Sequence, residues 1–164
     1  MKVECTIDGK MLSLSISSDK PLSLILIENL NNPSLESRCF GHQCGNCIVL
    51  MNGKAVLSCL VPAFAIKGAT ITTFEAFSRS RDYRDIEKAI GVVGNTPCSK
   101  CEASRVMLIE HILRRYENND LEIDEGEILQ ENAIIKCTCM DQKTFLNIVR
   151  EALAFRRKRN VRRA

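Results

Sequence analysis

Aromatic residues are scarce in this chain of 164 residues, and tryptophan is absent. Aromatic side chains make up 5% of a sequence that is 45% hydrophobic, so aliphatic side chains must supply most of the core. No apolar stretch reaches the ~20 residues of a transmembrane helix, and the opening MKVECTIDGK lacks the apolar run of a signal peptide. We therefore expect a reducing, cytoplasmic location without membrane insertion.

Local patterns of catalytic machinery are also missing from the sequence. It contains no G-x-G-x-x-G run for a dinucleotide, and no nucleophile is paired locally with either of the two histidines. His42 stands in a polar loop and His111 in a helical pattern, and both are interpreted as surface or satisfied residues rather than ligands. We expect no complete active site on this chain.

Positive charge is concentrated at one end of the chain. The formal net charge is +3, and residues 150–164 (REALAFRRKRNVRRA) alone contain seven Arg/Lys and one Glu. This pattern favours a solvated, frayed tail, and docking to an acidic partner surface is the next interpretation. Nucleic-acid binding is the least favoured, because the segment has one aromatic residue and no recognition motif.

The nine cysteines fall into two groups of four plus Cys5, which alternates within a predicted strand as a small core residue. In a reducing compartment so many thiols indicate metal binding rather than disulfides. The first group has the spacing C-x4-C-x2-C-x11-C, which is the plant-type spacing of a 2Fe–2S cluster. Gly41 and Gly45 would let this loop approach a cluster closely. Its four cysteines are Cys39, Cys44, Cys47 and Cys59.

The second group of cysteines combines a C-x2-C pair with a C-x-C pair. Four thiolates suit tetrahedral zinc and an iron–sulfur cluster alike, because both take soft ligands. The spacing alone leaves both interpretations open. The members of this group are Cys98, Cys101, Cys137 and Cys139.

The first half of the chain has the pattern of a small mixed sheet. Asp8-Gly9 and Asn52-Gly53 are strong hairpin turns between alternating apolar and polar runs. Pro21 opens an apolar segment, PLSLILIENLNN, that predicts a short buried helix with proline in its first turn. The order strand, strand, helix, cysteine loop, hairpin, strand is that of a β-grasp fold.

Helical periodicity replaces the strand pattern in the second half. Asp124 and Glu127 have the spacing of a capping box ahead of a further helix. We predict an α+β protein with a β-grasp domain at 1–76, a linker at 77–85, an all-α four-helix domain at 86–158 and a basic tail at 159–164. The apolar stripes of two of these helices are Val106, Ile109, Leu113 and Tyr116, and Phe145, Val149, Ala152 and Leu153.

Residues 58–75 (SCLVPAFAIKGATITTFE), which follow CGNCIV, resemble the iron–sulfur subunit of molybdenum hydroxylases of the xanthine dehydrogenase and aldehyde oxidoreductase type. The resemblance implies that each group of four cysteines ligates one 2Fe–2S cluster. It also implies two partners, a large molybdopterin-binding subunit and an FAD-binding subunit. Electrons from molybdenum would pass through the clusters, the one in the helical domain first, to the flavin.

The chain departs from this family around its cysteines. His42 stands at the third position after Cys39, where the family usually has glycine. Residues 97–101 read PCSKC where the family has Gln-Cys-Gly-x-Cys, and that glutamine typically contacts the pterin. Residues 137–142 read CTCMDQ instead of Cys-Arg-Cys-Thr-Gly-Tyr. An electron-transfer subunit is the first hypothesis, and a free-standing two-cluster carrier and a zinc-stabilised interaction module are the alternatives.

Overall fold

A mixed five-stranded sheet forms the first half of the protein in the computed structural model, which describes residues 1–35, 44–117 and 122–162. The strand order is β2-β1-β5-β3-β4, with β1 and β5 parallel and the other neighbours antiparallel. The strands are β1 (Lys2–Ile7), β2 (Lys10–Ser15), β3 (Ile48–Met51), β4 (Lys54–Leu57) and β5 (Thr70–Thr72).

Helices dominate the second half, and with the sheet they confirm the predicted α+β class. Two short 3-10 helices, Ser58–Leu60 and Ala63–Ile66, lie between β4 and β5. Within the described ranges, no helix combines the length and apolar character needed to cross a bilayer. The helices are α1 (Leu22–Leu30), α2 (Phe74–Phe77), α3 (Arg81–Val93), α4 (Glu102–Tyr116), α5 (Glu125–Asn132) and α6 (Gln142–Val161).

Both predicted hairpin turns are confirmed. Asp8 and Gly9 have φ values of 51° and 79°, and Asn52 and Gly53 have φ values of 51° and 80°. Two consecutive residues with positive φ are the signature of the turn that matches the twist of an antiparallel hairpin. These local signals fix the register of β1 with β2 and of β3 with β4.

Helix starts follow the sequence signals with two differences. The predicted cap at Asp124 is confirmed, because its side chain accepts a hydrogen bond of 3.0 Å from the N–H of Glu127. Pro21 precedes α1 as its N-cap instead of standing in the first turn. The charged segment 77–85, expected as a linker, is partly helical, since Ser80 caps α3 and Arg81 begins it.

Strand β3 separates two apolar cores. Its side chains alternate, so that Val49 faces α1 together with Cys5, which is 3% exposed as predicted for a core residue. Ile48 and Leu50 point to the other side and pack with α4 and α6. All eight residues of the two predicted helical stripes are buried on this side. The sheet is therefore covered on both faces near β3.

The basic segment is not the solvated tail that its charge favours. Helix α6 continues to Val161, and the side chain of Arg156 is only 1% exposed. Its guanidinium forms ion pairs with Asp85 on α3, with Glu110 on α4 and with Glu117 at the end of α4. The interpretation of residues 150–161 as a frayed tail is wrong, because the end of α6 holds three helices together.

Candidate metal centre

Two cysteine pairs that are distant in the sequence converge between helices. Cys98 and Cys101 lie in the turn before α4, and Cys137 and Cys139 lie between α5 and α6. All four Sγ atoms are within 4.8 Å of one another. The Sγ–Sγ distances are 3.8 Å for Cys98–Cys101, 3.5 Å for Cys98–Cys137 and 3.4 Å for Cys101–Cys139. The described cysteines form no disulfide.

The donor set fits a metal centre of the thiolate type. Four sulfurs at about 2.3 Å from one tetrahedral ion would stand roughly 3.8 Å apart, which is near the observed spacing. A two-iron cluster has two metal atoms between the same four thiolates and would hold the sulfurs of opposite irons farther apart. Soft thiolate donors suit zinc and iron–sulfur clusters alike. The geometry therefore accepts a metal held by four thiolates.

The thiols of this group differ in how readily they ionise. Burial opposes ionisation of Cys98, but hydrogen bonds from the backbone N–H groups of Lys100 and Cys101 lower the pKa of Cys98 to about 6. Burial strongly raises the pKa of Cys101, and the nearby Arg105 only partly opposes this effect. A bound metal would hold both as thiolates, because metal binding displaces the thiol protons.

Arg105 is a neighbour of the site that the sequence analysis did not identify. Its Nε donates to Cys101 Sγ at 3.3 Å, and its Nη2 donates to the Cys137 carbonyl oxygen at 2.8 Å. Its Nη1 donates to Asn132 Oδ1 at 2.6 Å. The sequence does contain a signal for the first contact, since Arg105 follows Cys101 by four residues at the start of a helix. The contacts with Asn132 and Cys137 depend on tertiary packing.

The loop that carries Cys137 and Cys139 is fixed where α6 begins. Asp141 caps α6 by accepting hydrogen bonds of 2.8 Å from the N–H and the hydroxyl of Thr144. These bonds lower the pKa of Asp141 and keep its carboxylate charged. The N–H of Cys98 points to Cys139 Sγ at 3.5 Å. Both cysteine pairs are thus held by hydrogen bonds from the backbone around them.

Part of the first cysteine group is also described. Cys44 and Cys47 lie in the turn before β3, and Cys59 lies in the 3-10 helix after β4. These segments are adjacent, because Ser58 donates to the Cys47 carbonyl oxygen from its N–H at 3.0 Å and from its hydroxyl at 2.8 Å. Cys39 lies outside the described residues, as do Gly41 and His42.

The loops of the two cysteine groups touch each other. The backbone N–H of Lys136 donates to the carbonyl oxygen of Cys44 at 3.0 Å. Gly45 has a φ of +75°, and a Cβ atom there would lie 2.3 Å from the carbonyl oxygen of Ile134. The positive φ agrees with the flexibility expected of Gly45, and its close approach is to the segment before Cys137.

Comparisons with known proteins agree with the resemblance seen in the sequence. One of the subunits of nicotinate dehydrogenase from Pseudomonas putida is 27% identical over 156 residues, which cover 95% of this chain and 97% of that protein. The xanthine dehydrogenase iron–sulfur-binding subunit of Escherichia coli O157:H7 is 29% identical over 147 residues, covering 90% and 91% of the two chains. No model of a known protein family matches the chain.

A solved structure supports the same relationship at the level of the fold. A chain of quinoline 2-oxidoreductase from Pseudomonas putida 86 superposes with a TM-score of 0.78 at 21% identity, covering 96% of each chain. The protein is therefore related along nearly its whole length to small iron–sulfur subunits of the xanthine and nicotinate dehydrogenase type. This confirms the resemblance inferred from residues 58–75.

Proposed function

We propose that the chain is the electron-transfer iron–sulfur subunit of a molybdenum hydroxylase. The observation that carries this proposal is the group of four converging thiols in a chain related to iron–sulfur subunits. Two 2Fe–2S clusters would supply one-electron chemistry between the molybdopterin of one large partner and the FAD of another. Cytoplasm is the proposed location, where thiols stay reduced for cluster assembly.

Each cysteine group is proposed as one ligand set. Cys98, Cys101, Cys137 and Cys139 would hold the cluster nearer the molybdopterin, and their convergence supports this assignment. The first set, assigned by spacing and resemblance, would hold the cluster nearer the flavin. The hydrogen bonds between Ser58 and Cys47 support it, because they keep the segments of two proposed ligands side by side. The first set consists of Cys39, Cys44, Cys47 and Cys59.

The two halves are proposed as functional units, a β-grasp ferredoxin-like domain at 1–76 and a helical cluster-binding domain at 86–158. Their role is to hold two redox sites at a fixed separation. The hydrogen bond between Cys44 and Lys136 supports this role, since Lys136 precedes Cys137 and the two loops are joined directly. Ile48 and Leu50 add apolar contact between β3 and the helices. A rigid frame suits electron transfer, which requires little ligand movement.

A subunit of this kind needs surfaces for its partners. Leu60 and Phe64 follow the proposed ligand Cys59 and are 69% and 60% exposed. Ile134, which stands three residues before Cys137 in the chain, is also exposed, whereas Ile135 is buried. Exposed apolar side chains next to both sites support docking of a large subunit on each. Substrate binding and acid–base chemistry are assigned to those partners.

Co-expression with the proposed molybdopterin-binding and FAD-binding subunits tests the proposal. We expect a stable complex on gel filtration, a red-brown colour, and two 2Fe–2S clusters per chain, hence about four iron atoms and four labile sulfides. Elution of the chain alone with both clusters, able to exchange electrons with soluble partners, would favour the free-standing carrier. A colourless protein with stoichiometric zinc would support the interaction module and refute the electron-transfer role.

A further inference from the structure

Arg105 places a buried positive charge against the second cysteine group. The residue is 1% exposed, and its guanidinium lies 5.9 Å from the centroid of the Phe145 ring. The guanidinium donates to Cys101 Sγ, to Asn132 Oδ1 and to the Cys137 carbonyl oxygen. One guanidinium therefore contacts residues from both cysteine pairs.

The charge of Arg105 lacks the compensation that Arg156, which is equally buried, has. Arg156 is paired with the carboxylates of Asp85, Glu110 and Glu117. For Arg105, no ion pair with a carboxylate occurs among residues 1–35, 44–117 and 122–162. A buried cation without a counterion is strongly unfavourable. The guanidinium of Arg105 instead faces the sulfur of Cys101, a proposed cluster ligand, at 3.3 Å.

We propose that Arg105 is the fixed counter-cation of the second cluster and raises its reduction potential. This inference rests on the proposed function, because it assumes a cluster at Cys98, Cys101, Cys137 and Cys139. Reduction transfers one electron from a donor to the cluster, and no bond is formed or broken. The reduced cluster carries one more negative charge, so a nearby cation stabilises it more than the oxidised one.

Two features make this effect of Arg105 strong. Charges interact more strongly in the dry interior than at the surface, because the effective dielectric constant is lower. The N–H of Arg105 also donates directly to the sulfur of Cys101, and hydrogen bonds to cluster sulfur raise reduction potentials. The contact of Nη1 with Asn132 and of Nη2 with Cys137 prevents the guanidinium from turning away.

Potentiometric titration followed by electron paramagnetic resonance tests the proposal on the holo-protein. The cluster of the first group serves as an internal control, since it is bound elsewhere in the same chain. Arg105→Gln removes the charge but keeps a donor group, and Arg105→Lys keeps the charge. We expect Arg105→Gln to shift the reduction equilibrium of the second cluster at least tenfold toward the oxidised form, about 59 mV to lower potential for one electron.

A second variant keeps the arginine in place. Asn132→Asp would give Nη1 of Arg105 a carboxylate partner of the same size and neutralise the guanidinium. We expect it to lower the potential of the second cluster as well, whereas Arg105→Lys should retain most of the wild-type value. If substitution of Arg105 prevents cluster assembly, an unchanged potential in the Asn132→Asp protein refutes the proposal.

The outcomes separate this inference from the proposed function. If wild-type protein shows two cluster signals but the potential of the second is the same in the Gln, Lys and Asp variants, Arg105 does not tune the cluster. Equal shifts of both clusters would also refute a local effect. If wild-type protein contains zinc or only one cluster signal, the proposed function itself is wrong.

Discussion

The carbonyl oxygen of Cys44 accepts a hydrogen bond from the backbone N–H of Lys136, with 3.0 Å between nitrogen and oxygen. Cys44 belongs to the first cysteine group, and Lys136 directly precedes Cys137 of the second. The bond therefore joins the two loops that carry the proposed cluster ligands. Because backbone groups form it, it depends on how closely the two loops can approach rather than on a particular side chain.

Gly45→Ala should separate these loops and destabilise the protein. The residue has a φ of +75°, and its new Cβ would meet the Ile134 carbonyl oxygen at 2.3 Å. We expect a loss of more than ~1–3 kcal/mol, the usual cost of a strained backbone conformation, because the clash with backbone adds to the strain. Chemical unfolding gives the stability, and the spin–spin interaction between the two clusters gives their separation.

Gly9→Ala is the matched control for this prediction. Gly9 has a similar φ of +79°, but nothing lies within 4 Å of its Cβ position. The Gly9→Ala variant should lose only the stability that backbone strain costs and should leave the interaction between the clusters unchanged. Equal losses of stability in the Gly9 and Gly45 variants would mean that close approach of the two loops contributes nothing to stability.

Cys139→Ser should abolish or badly distort one cluster, because a harder oxygen ligand replaces a thiolate. Cys5→Ser is the matched control, since Cys5 is buried in β1 among apolar residues rather than in either ligand set. We expect the Cys5 variant to keep both electron paramagnetic resonance signals and to lose some stability. The ligand assignment would be contradicted if the Cys5 variant lost a cluster signal. It would also be contradicted if the Cys139 variant kept both signals in full.

The sequence predicted those features that depend on residues close in the chain. The turns at Asp8-Gly9 and Asn52-Gly53 and the cap at Asp124 each require only two to four neighbouring residues. The buried stripes of α4 and α6 likewise follow from helical periodicity. In each case the local preference and the final packing agree.

The features that were missed depend on contacts between distant segments. Charge alone suggested that Arg156 is solvated, but its partners Glu110 and Asp85 lie 46 and 71 residues away in the chain. Asn132, the partner of Arg105, is likewise 27 residues away. No local pattern shows which acidic or amide group faces an arginine across a helix interface. The surroundings of both arginines are therefore set by tertiary packing.

Acid should weaken the contact that holds the start of the first cysteine loop. Asn32 Nδ2 and the N–H of Ser34 donate to the Glu75 carboxylate at 2.7 and 2.8 Å. Burial opposes the charged form of Glu75, but these hydrogen bonds outweigh it and lower its pKa below the ordinary value of 4.5. The contribution of the carboxylate to stability is therefore present above pH 4.5 and is lost as pH falls through the lowered pKa.

Glu75→Gln isolates this effect of pH. The difference in unfolding free energy between wild type and variant should be constant from pH 7 to about pH 5 and should shrink below pH 4.5, the ordinary pKa of a glutamate. Taking the difference removes pH effects that the two proteins share, including any loss of clusters in acid. A difference that stays constant throughout acid titration would show that Glu75 does not titrate with a lowered pKa.

Arg156→Met should be the most destabilising change at the end of α6. The guanidinium pairs with Asp85 at 2.9 Å, Glu110 at 2.8 Å and Glu117 at 3.0 Å, and the side chain of Glu110 is completely buried. Removing the cation leaves Glu110 paired only with Arg114 and Asp85 paired only with Arg159. The charge of the buried carboxylates is then only partly compensated, so we expect a loss of up to about 3–5 kcal/mol. Arg150→Met is the matched control on the same helix, because Arg150 pairs with Glu125 where both side chains are about half exposed. An exposed pair contributes only ~0–1 kcal/mol, since water screens it. Urea unfolding of both variants gives the two losses directly. If the Arg150 and Arg156 variants lose the same stability, the buried network does not hold the end of α6 against α3 and α4.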